Sequence, residues 1–492
     1  MNDNQPNILI IMSDQHHAKI MGCAGDPIVQ TPNLDRLALE GVRFSNAYCS
    51  SPLCCPSRMS FLTGQHPHEI EVWDNRNELR SDIPTFAHAF SAAGYDTVLS
   101  GRMHFVGGDQ RHGFAERIIS DVTTTAYINR GWQLENVLGP LVDTPGMSLN
   151  GIIKSGPGQT AYQAYDKAVT KTTVDWLNKR NHSNNPPFLL TVGYVTPHCP
   201  FVSPPDDFEI YQNEIRSSDL PVEDNNLHPR NVALRNVNGI DPAPPIDAQW
   251  RTRVAYYGLT TFLDRQVGAI LDALEATGQD ENTVIVYCSD HGESLGEHGL
   301  WWKSTFYDAS CAVPLIISYP GQINKNKLFD NNVSLMDVGP TLIDLAGVGP
   351  LPGTSGRSFQ ELLIGKDDEW DDTVFAEFAS DVTCRMVRSG QWKYNYYYGM
   401  PPELFNIEND PNELHNLIGQ SDYKEIEQHL NELVLHDWDP KHVQNKREQT
   451  QLQRPLIADW IRTTKPPEPD LPWFDKTPKN YVNNSLHPPP DA

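Results

Sequence analysis

The chain has 492 residues, of which 39% are hydrophobic and 21% are charged, a composition typical of a globular protein with a large core. Its formal net charge of −25 argues against nucleic acid as a general partner, because phosphate binding requires a basic face. The sequence contains no apolar run of about 18 residues that would span a bilayer. The opening segment MNDNQPNILIIMSDQ lacks the basic region of a secretory leader, so we expect a cytoplasmic protein, or a periplasmic one if a leader was removed.

Strands and helices alternate along the first part of the chain. Residues 7–13 (NILIIMS) form a short apolar run that predicts a buried central strand, and Thr31 before Pro32 predicts a helix that ends at Gly41. The same reasoning predicts strands at 42–48, 96–101, 187–195, 283–289 and 313–318, and helices at 83–94, 160–180 and 247–277. Such alternation indicates an α/β fold with a largely parallel central sheet flanked by helices.

The pattern changes after residue 370. Two strands around a turn at Ser389 and Gly390, followed by an acidic helix at 421–437, predict a smaller C-terminal α+β subdomain. We therefore divide the chain into an α/β domain at 1–370, the subdomain at 371–440 and an extended tail at 441–492. The tail is rich in Pro, Lys, Gln and Asn and is expected to follow the surface or another subunit, which leaves a homo-oligomer open.

Polar residues follow several of the predicted strands directly. Asp14, Arg102, the segment 196–198 and Asp290 each come just after a strand. In parallel sheets, ligands bind beyond the carboxyl ends of the strands. The sequence therefore predicts one composite site built from distant parts of the chain.

Two adjacent cysteines stand at the start of a distinctive segment. The eight cysteines lack the spacing of a disulfide framework or of a structural zinc site, so most are expected to be reduced. Residues 54–64 (CCPSRMSFLTG) resemble the motif C-x-P-S-R-x-x-x-L-T-G of type I sulfatases, members of the alkaline phosphatase superfamily. The resemblance implies that a formylglycine-generating enzyme converts Cys54 to formylglycine, with Pro56 and Arg58 as recognition features. Cys55 falls on the variable position of the motif.

Formylglycine explains why a cysteine stands at that position. A hydrated aldehyde carries two hydroxyls on one carbon. One attacks sulfur to form a covalent sulfate intermediate, and the other drives elimination of sulfate and restores the aldehyde. Two buried core thiols would be the simpler interpretation if the rest of the motif were missing.

The segments SDQ (13–15) and CSDHGESLGEHG (288–299) supply candidate metal ligands. The resemblance assigns the metal to Asp14, Gln15, Asp290 and His291, with Cys54 as the modified fifth ligand. Sulfatases often carry Asp-Asp and Asp-Asn at these places, whereas this chain carries Asp-Gln and Asp-His. Carboxylate and amide oxygens suit Ca²⁺, the leading expectation. Mg²⁺ also accepts such oxygens, and the imidazole leaves Mn²⁺ open.

Three further segments match sulfatase segments that carry basic residues. They are SGRMHF (100–105), which resembles G-K-x-H with arginine for lysine, VTPHCPF (195–201) and GLWWKSTFYDASCAVPLI (299–316).

The resemblance gives a role to each basic residue in the motif and in these segments. Arg58 and Arg102 are expected to bind sulfate and formylglycine oxygens, although a salt bridge remains an alternative for Arg102. His104 is expected to accept the proton that starts sulfate elimination, and His198 to bind the sulfate ester. Lys303 is expected to stabilise or protonate the leaving oxygen.

The substrate is less well defined than the reaction. The stretches SSPLC, VWDN, MHFVGGDQRHGF and WWKSTFYDAS resemble choline sulfatases, and Trp132 and Asp381 are candidates for a cage around a quaternary ammonium group. Asp74, Asn75 and Arg76 are alternative contacts for sugar hydroxyls.

Three functional hypotheses follow. The first is an exo-acting sulfatase that removes an O-sulfate from a sugar or another small organic sulfate. The second is a choline sulfatase, or a phosphonate or phosphate ester hydrolase. The third is a non-enzymatic protein that binds sulfated glycans.

Overall fold

Strand β1 (Asn7–Asp14) lies near the centre of an eight-stranded sheet, as its apolar sequence predicts. The computed structural model describes residues 5–121, 146–180, 185–221, 226–366 and 370–464. The other strands are β2 Val42–Tyr48, β3 Asp96–Gly101, β4 Glu116–Ile119, β5 Gly156–Pro157, β6 Phe188–Pro197, β7 Val202–Ser203, β8 Thr283–Ser289, β9 Leu315–Ser318, β10 Lys327–Ser334, β11 Thr373–Phe378, β12 Cys384–Ser389, β13 Trp392–Tyr397 and β14 Glu403–Asn406. The helices are α1 Pro32–Glu40, α2 Cys54–Thr63, α3 Phe86–Ala92, α4 Leu149–Ile153, α5 Ala161–Lys179, α6 Pro205–Tyr211, α7 Pro229–Val237, α8 Ile246–Ala276, α9 Asp308–Cys311, α10 Val338–Ala346, α11 Gln360–Leu363, α12 Lys424–Leu435 and α13 Pro440–Thr464.

The large sheet has the strand order β10-β2-β9-β8-β1-β6-β3-β4. Strands β1, β3, β4, β6 and β8 are joined by parallel pairings, and β2 pairs in parallel with β10. Strand β9 is antiparallel to both of its neighbours, β2 and β8. The predicted α/β class with a largely parallel sheet is therefore confirmed.

Side chains of β1 alternate between two hydrophobic cores. Ile8 and Met12 belong to the core that also holds Phe61 of α2, whereas Leu9 and Ile11 belong to the core formed with α1, α5 and α8. Both faces of the sheet are thus covered by helices, which is why the strand is apolar at successive positions. Burying each of these large side chains contributes roughly 1.5–3 kcal/mol.

The C-terminal region forms a second sheet of four antiparallel strands, β11-β12-β13-β14. Successive residues of β12 face opposite sides: Val387 packs in the cluster that includes Leu430 and Val434 of α12, and Met386 joins the main core. The predicted α+β subdomain is confirmed, and it shares a core with the α/β domain.

The segment after residue 440 differs from the predicted extended tail. Residues 440–464 form helix α13, while residues 465–492 lie outside the described residues. Pro440 occupies the first turn, where the missing N–H costs nothing, and the segment's Lys, Gln, Arg and Glu residues have good helix propensity. Pro455 lies inside the helix without ending it. Among the described helices, none has the length and apolar character required to cross a bilayer.

Candidate active site

Four neighbouring strands end at one edge of the large sheet and bring distant residues together. The order β8-β1-β6-β3 places Asp290, Asp14, His198 and Arg102 beside one another. The closest of these contacts joins Nε of Arg102 to Oδ2 of Asp14 at 2.6 Å. The composite site expected from the sequence therefore exists as a geometric unit.

Helix α2 explains the spacing of the cysteine motif. Cys54 is its first residue, and Pro56 lies in the first turn, where a backbone N–H has no helical partner. Ser57 Oγ donates to the backbone oxygen of Asp290 at 2.5 Å, which fixes the helix against β8. Gly64 ends the helix with φ of 65°, and a Cβ atom there would lie 2.2 Å from Oγ1 of Thr354.

The Cys54 thiol lies at the centre of the site. Its Sγ atom is 2.9 Å from Nζ of Lys303, 3.2 Å from Nε2 of His291 and 3.9 Å from Oδ1 of Asp14. Burial and the charge of Asp14 raise the pKa of Cys54. The charges of Lys303 and His291 and a hydrogen bond from His104 outweigh them, so that the pKa lies well below its usual value. The site therefore stabilises an anion at residue 54.

Cys55 has the opposite environment. Its N–H donates to Oδ1 of Asn75 at 2.9 Å, and its Sγ lies 3.6 Å from the backbone oxygen of Asn77. Burial, together with the charges of Asp74 and Cys54, raises the pKa of the Cys55 thiol. One cysteine of the pair is thus activated and the other is a neutral packing residue.

Four buried side chains lie close enough together to bind one metal ion. Asp14, Cys54, Asp290 and His291 each offer one ligand atom, and these atoms lie within 4.8 Å of one another. Nδ1 of His291 faces the backbone oxygen of Gly292 at 2.9 Å; since a carbonyl only accepts, Nδ1 carries a proton, and in the neutral form of the ring Nε2 has the free lone pair. A metal-ligating histidine is held in this way. The donor set therefore fits a divalent cation.

Gln15, the remaining proposed ligand, is fully buried with φ of 68°. Its Nε2 donates to Oε2 of Glu293 at 2.5 Å. No hydrogen-bond partner for its Oε1 is found among the described residues. An unpaired buried oxygen beside Asp14 also fits a cation, because amide oxygens bind hard metals.

The two arginines bind the carboxylates among the candidate metal ligands. Arg58 donates from Nε to Oδ2 of Asp290 at 2.7 Å and from Nη2 to Oδ2 of Asp14 at 3.2 Å. Arg102 donates from Nε to the same Asp14 oxygen, so the salt bridge that was the alternative for Arg102 is present. Both guanidinium groups are buried and hold the ligands in place. Direct contact of either arginine with sulfate stays a prediction.

His104 has a defined tautomer. Nη2 of Arg102 donates to Nδ1 of His104 at 3.2 Å, so that a neutral ring carries its proton on Nε2. The hydrogen bond to Cys54 is therefore donated by His104. Accepting a proton from residue 54, the role predicted for His104, requires the other tautomer and stays a prediction.

His198 lies at the same sheet edge as a neutral base. Nδ1 donates to the backbone oxygen of Cys199 at 2.6 Å, which leaves Nε2 unprotonated. Burial and the charge of Lys303 lower the pKa of His198 to about 3. The neutral His198 ring thus presents an acceptor at Nε2. Donation to a sulfate oxygen, the predicted role, requires proton uptake.

Three buried carboxylates that no motif position predicts hold the turns of the site. Asp121 accepts the N–H of His104 at 2.6 Å, and Asp166 accepts the N–H of Thr196 at 2.8 Å. Glu293 accepts the N–H of Trp302, next to Lys303, at 2.6 Å. Asp166 could have been noticed in the sequence, because it is an acidic residue on the buried face of a helix. The sequence around Asp121 and Glu293 contains no comparable signal.

Three of the residues considered for substrate contacts are engaged elsewhere, whereas Arg76 is exposed. The Asp381 carboxylate accepts two hydrogen bonds from Arg230, at 2.9 and 3.0 Å. Both oxygens of Asp74 accept from Arg454 of α13, and Asn75 binds the N–H of Cys55. Trp132 lies outside the described residues.

Comparisons with known proteins agree with this geometry. The sulfatase family profile matches residues 6–348, and the profile described as N-sulphoglucosamine sulphohydrolase, C-terminal, matches residues 296–439. A choline-sulfatase from Rhizobium meliloti (strain 1021) is 36% identical over 436 residues, 85% of this chain and 83% of that protein. An arylsulfatase from Clostridium perfringens (strain 13 / Type A) is 29% identical over 461 residues, 88% of this chain and 94% of that protein.

A crystal structure of the phosphonate monoester hydrolase of Agrobacterium radiobacter superposes with a TM-score of 0.74 at 24% identity, over 88% of this chain and 95% of that one. This likeness concerns the fold alone. The sulfatase profile covers well over half of the chain, and the relatives identified by sequence are sulfuric ester hydrolases. The protein therefore belongs to the sulfatase family and hydrolyses sulfate esters.

Proposed function

We propose that the protein removes an O-sulfate from a neutral small molecule, a sugar in the first place, with formylglycine at position 54 as the nucleophile. The observation that carries this proposal is the convergence of Lys303, His291 and Asp14 on Cys54 in a buried site. Once formed, formylglycine supplies a hydrated aldehyde whose hydroxyl attacks sulfur.

One divalent cation belongs to the proposed site. Asp14, Gln15, Asp290 and His291 would hold it together with residue 54, and Arg58 keeps the two carboxylates in place. A bound cation would supply positive charge that favours ionisation of a hydroxyl at residue 54. Burial opposes the charged form of Asp14, but the permanent charges of Arg102, Lys303 and Arg58 hold the pKa of Asp14 well below its usual value. This carboxylate is therefore ionised for metal binding at neutral pH.

Lys303, His104 and His198 would stabilise charge or carry protons during the reaction. Burial lowers the pKa of Lys303, but the charges of Cys54, Asp14 and Asp290 raise it by more, so that the net shift is upward. Because the two carboxylates remain after Cys54 is converted to formylglycine, the ammonium persists. This fixed charge stabilises the negative charge that develops on the ester oxygen. His104 holds a proton on Nε2 toward residue 54, and His198 takes up a proton as the anionic ester binds.

The ion pair at Asp381 supports a neutral alcohol rather than choline. A quaternary ammonium group requires uncompensated negative charge or an aromatic cage. Both oxygens of Asp381 already accept from Arg230, which compensates this carboxylate. Choline sulfate remains the second candidate, favoured by the 36% identity to a choline-sulfatase.

Two experiments test the proposal. Mass spectrometry of the Cys54 peptide, after co-expression with a formylglycine-generating enzyme, should show the aldehyde. Cys54→Ala should then abolish sulfatase activity. An unmodified thiol in a fully active protein would contradict the covalent mechanism.

The substrate class is tested with sulfated monosaccharides and oligosaccharides, choline sulfate and a phosphonate monoester. Saccharide turnover well above the other two is the expected result. Strong choline sulfate turnover without saccharide turnover would reject the sugar assignment while leaving the sulfatase mechanism intact.

A further inference from the structure

Glu293 is neither a proposed ligand nor one of the basic residues, yet it contacts two parts of the site. Its side chain is fully buried in the loop after β8. Oε2 accepts from Nε2 of Gln15 at 2.5 Å, whereas Oε1 accepts the N–H of Leu295 at 2.8 Å and that of Trp302 at 2.6 Å. One carboxylate thus joins the residue after Asp14 to the segment that carries Lys303.

The hydrogen bond to Glu293 determines which end of the Gln15 amide is free. A carboxylate accepts and an amide NH₂ donates, so Nε2 must face Glu293 and Oε1 must face away from it. That oxygen is buried, and none of the described residues hydrogen-bonds to it. It is the kind of atom that a hard cation takes as a ligand.

The backbone of Gln15 is already fixed on both sides. Its N–H donates to Oδ1 of Asp290 at 3.1 Å, and its carbonyl accepts from the hydroxyl of Tyr256 at 2.6 Å. With φ at 68° the residue is held in the left-handed region. What remains to be set is the orientation of the side-chain amide, and Glu293 is the group that sets it.

We infer that Glu293 is a positioning residue of the metal centre. It keeps the Gln15 oxygen toward the cation, and through its second oxygen it fixes the turn at Trp302 that presents Lys303. The inference rests on the metal site of the proposed function. It extends that site to a residue that does not touch the metal.

The variant Glu293→Gln separates orientation from packing. Its new amide keeps an oxygen for the two backbone N–H groups and turns an NH₂ toward Gln15. Two donors then face each other, so the Gln15 amide rotates and presents nitrogen to the cation. We expect the affinity for Ca²⁺ or Mn²⁺, measured by isothermal titration, to fall about 10- to 100-fold. Glu297→Gln, which alters the pair with His17 in the same loop, should leave it unchanged.

The double variant Glu293→Gln with Gln15→Glu moves the carboxylate to the other side of the same hydrogen bond. The amide now donates and the new carboxylate accepts, so an oxygen again faces the cation. The affinity for the cation should return to within about threefold of the wild-type value. Additive losses in the double variant, or no loss in Glu293→Gln, would overturn the inference.

The outcomes remain distinguishable from failure of the proposed function. If the wild-type protein binds neither Ca²⁺ nor Mn²⁺, the proposed metal site is wrong and the inference is wrong with it. If it binds and Glu293→Gln binds equally well, the inference alone fails. If Glu293→Gln does not fold, a crystal structure of the Mn²⁺-loaded protein decides. Gln15 nitrogen at the metal, or Gln15 turned away from Glu293, contradicts the inference.

Discussion

Nζ of Lys303 lies 2.9 Å from Sγ of Cys54, although 249 positions separate the two residues. The same Nζ is 3.1 Å from Nε2 of His291, whose lone pair belongs to the proposed metal centre. The pKa of Lys303 is raised and that of Cys54 is lowered, because each charge stabilises the other against the cost of burial. The site thus combines a permanent cation with a position built for an anion.

Removing the Lys303 charge should slow the reaction most for esters with poor leaving groups. We expect Lys303→Met to lower kcat/KM about 10²- to 10³-fold on a sugar sulfate, and less on 4-nitrophenyl sulfate, whose leaving oxygen requires little help. Lys303→Arg should not restore the rate, because a planar guanidinium does not replace a point charge. Exposed Lys366→Met serves as the control. Equal losses on both esters would contradict the leaving-group role.

Cys55 should be dispensable for catalysis but not for packing. Its thiol is buried beside the backbone oxygen of Asn77 and is not one of the candidate metal ligands. Cys55→Ala should keep kcat within about twofold and lower the stability by about 1 kcal/mol through the small cavity it leaves. Steady-state assays and thermal melting measure the two effects. An activity loss comparable to that of Cys54→Ala would show that the adjacent cysteine takes part in the chemistry.

The identity of the cation should depend on His291. Imidazole favours transition metals, whereas an amide oxygen favours Ca²⁺. We expect His291→Asn to lower the affinity for Mn²⁺ relative to Ca²⁺ by about tenfold or more. Competitive dialysis followed by elemental analysis of the protein gives the ratio. An unchanged ratio would mean that His291 is not a ligand.

Local sequence predicted the parts of the fold whose signals are local. The apolar run of β1 and the Thr31-Pro32 start of α1 appear in the structure as expected. The proposed ligands Asp14 and Asp290 could be placed together because parallel strands end at a common edge. Helix α13 was missed because an internal proline and many glutamines resemble an extended tail.

The supporting carboxylates could not be predicted in this way. Glu293 and Gln15 are 278 positions apart, and the other partners of Glu293 are backbone N–H groups, which every residue but proline offers. A hydrogen bond to a backbone N–H does not depend on the residue type of the partner, so the sequence does not reveal it. The carboxylate partners of Arg58 and Arg102 could not be predicted for a related reason, because a motif does not tell which carboxylate an arginine contacts.

Asp121 should affect the rate through the residues it holds. Its Oδ2 accepts the N–H groups of Met103 at 3.1 Å and His104 at 2.6 Å, and its Oδ1 lies 3.4 Å from Nη1 of Arg102. Asp121→Asn keeps one acceptor but turns an NH₂ toward the guanidinium. We expect kcat to fall about tenfold, with KM changed less, because the tautomer and position of His104 are disturbed. Exposed Asp82→Asn is the control, and an unaltered kcat would contradict the positioning role.

A buried histidine outside the site should make the fold sensitive to acid. His112 is 1% exposed, and its ring lies 4.7 Å from that of Phe105. Among the described residues, none hydrogen-bonds to either ring nitrogen, and the carboxylate of Asp109 lies 3.5 Å from Nδ1. Burial is the largest cause that lowers the pKa of His112 to about 4.

The sign of the effect follows from which state binds the proton. Between pH 6.5 and about 4 the ring stays neutral in the folded protein but is charged in the unfolded chain, so stability falls as the pH falls through this window and levels off below it. One such histidine accounts for about 3 kcal/mol over the window. His112→Gln should therefore reduce the stability lost between pH 7 and pH 4, measured by urea unfolding, by about that amount. Exposed His429→Gln should not, and parallel curves for all three proteins would show that His112 is not the group that takes up the proton.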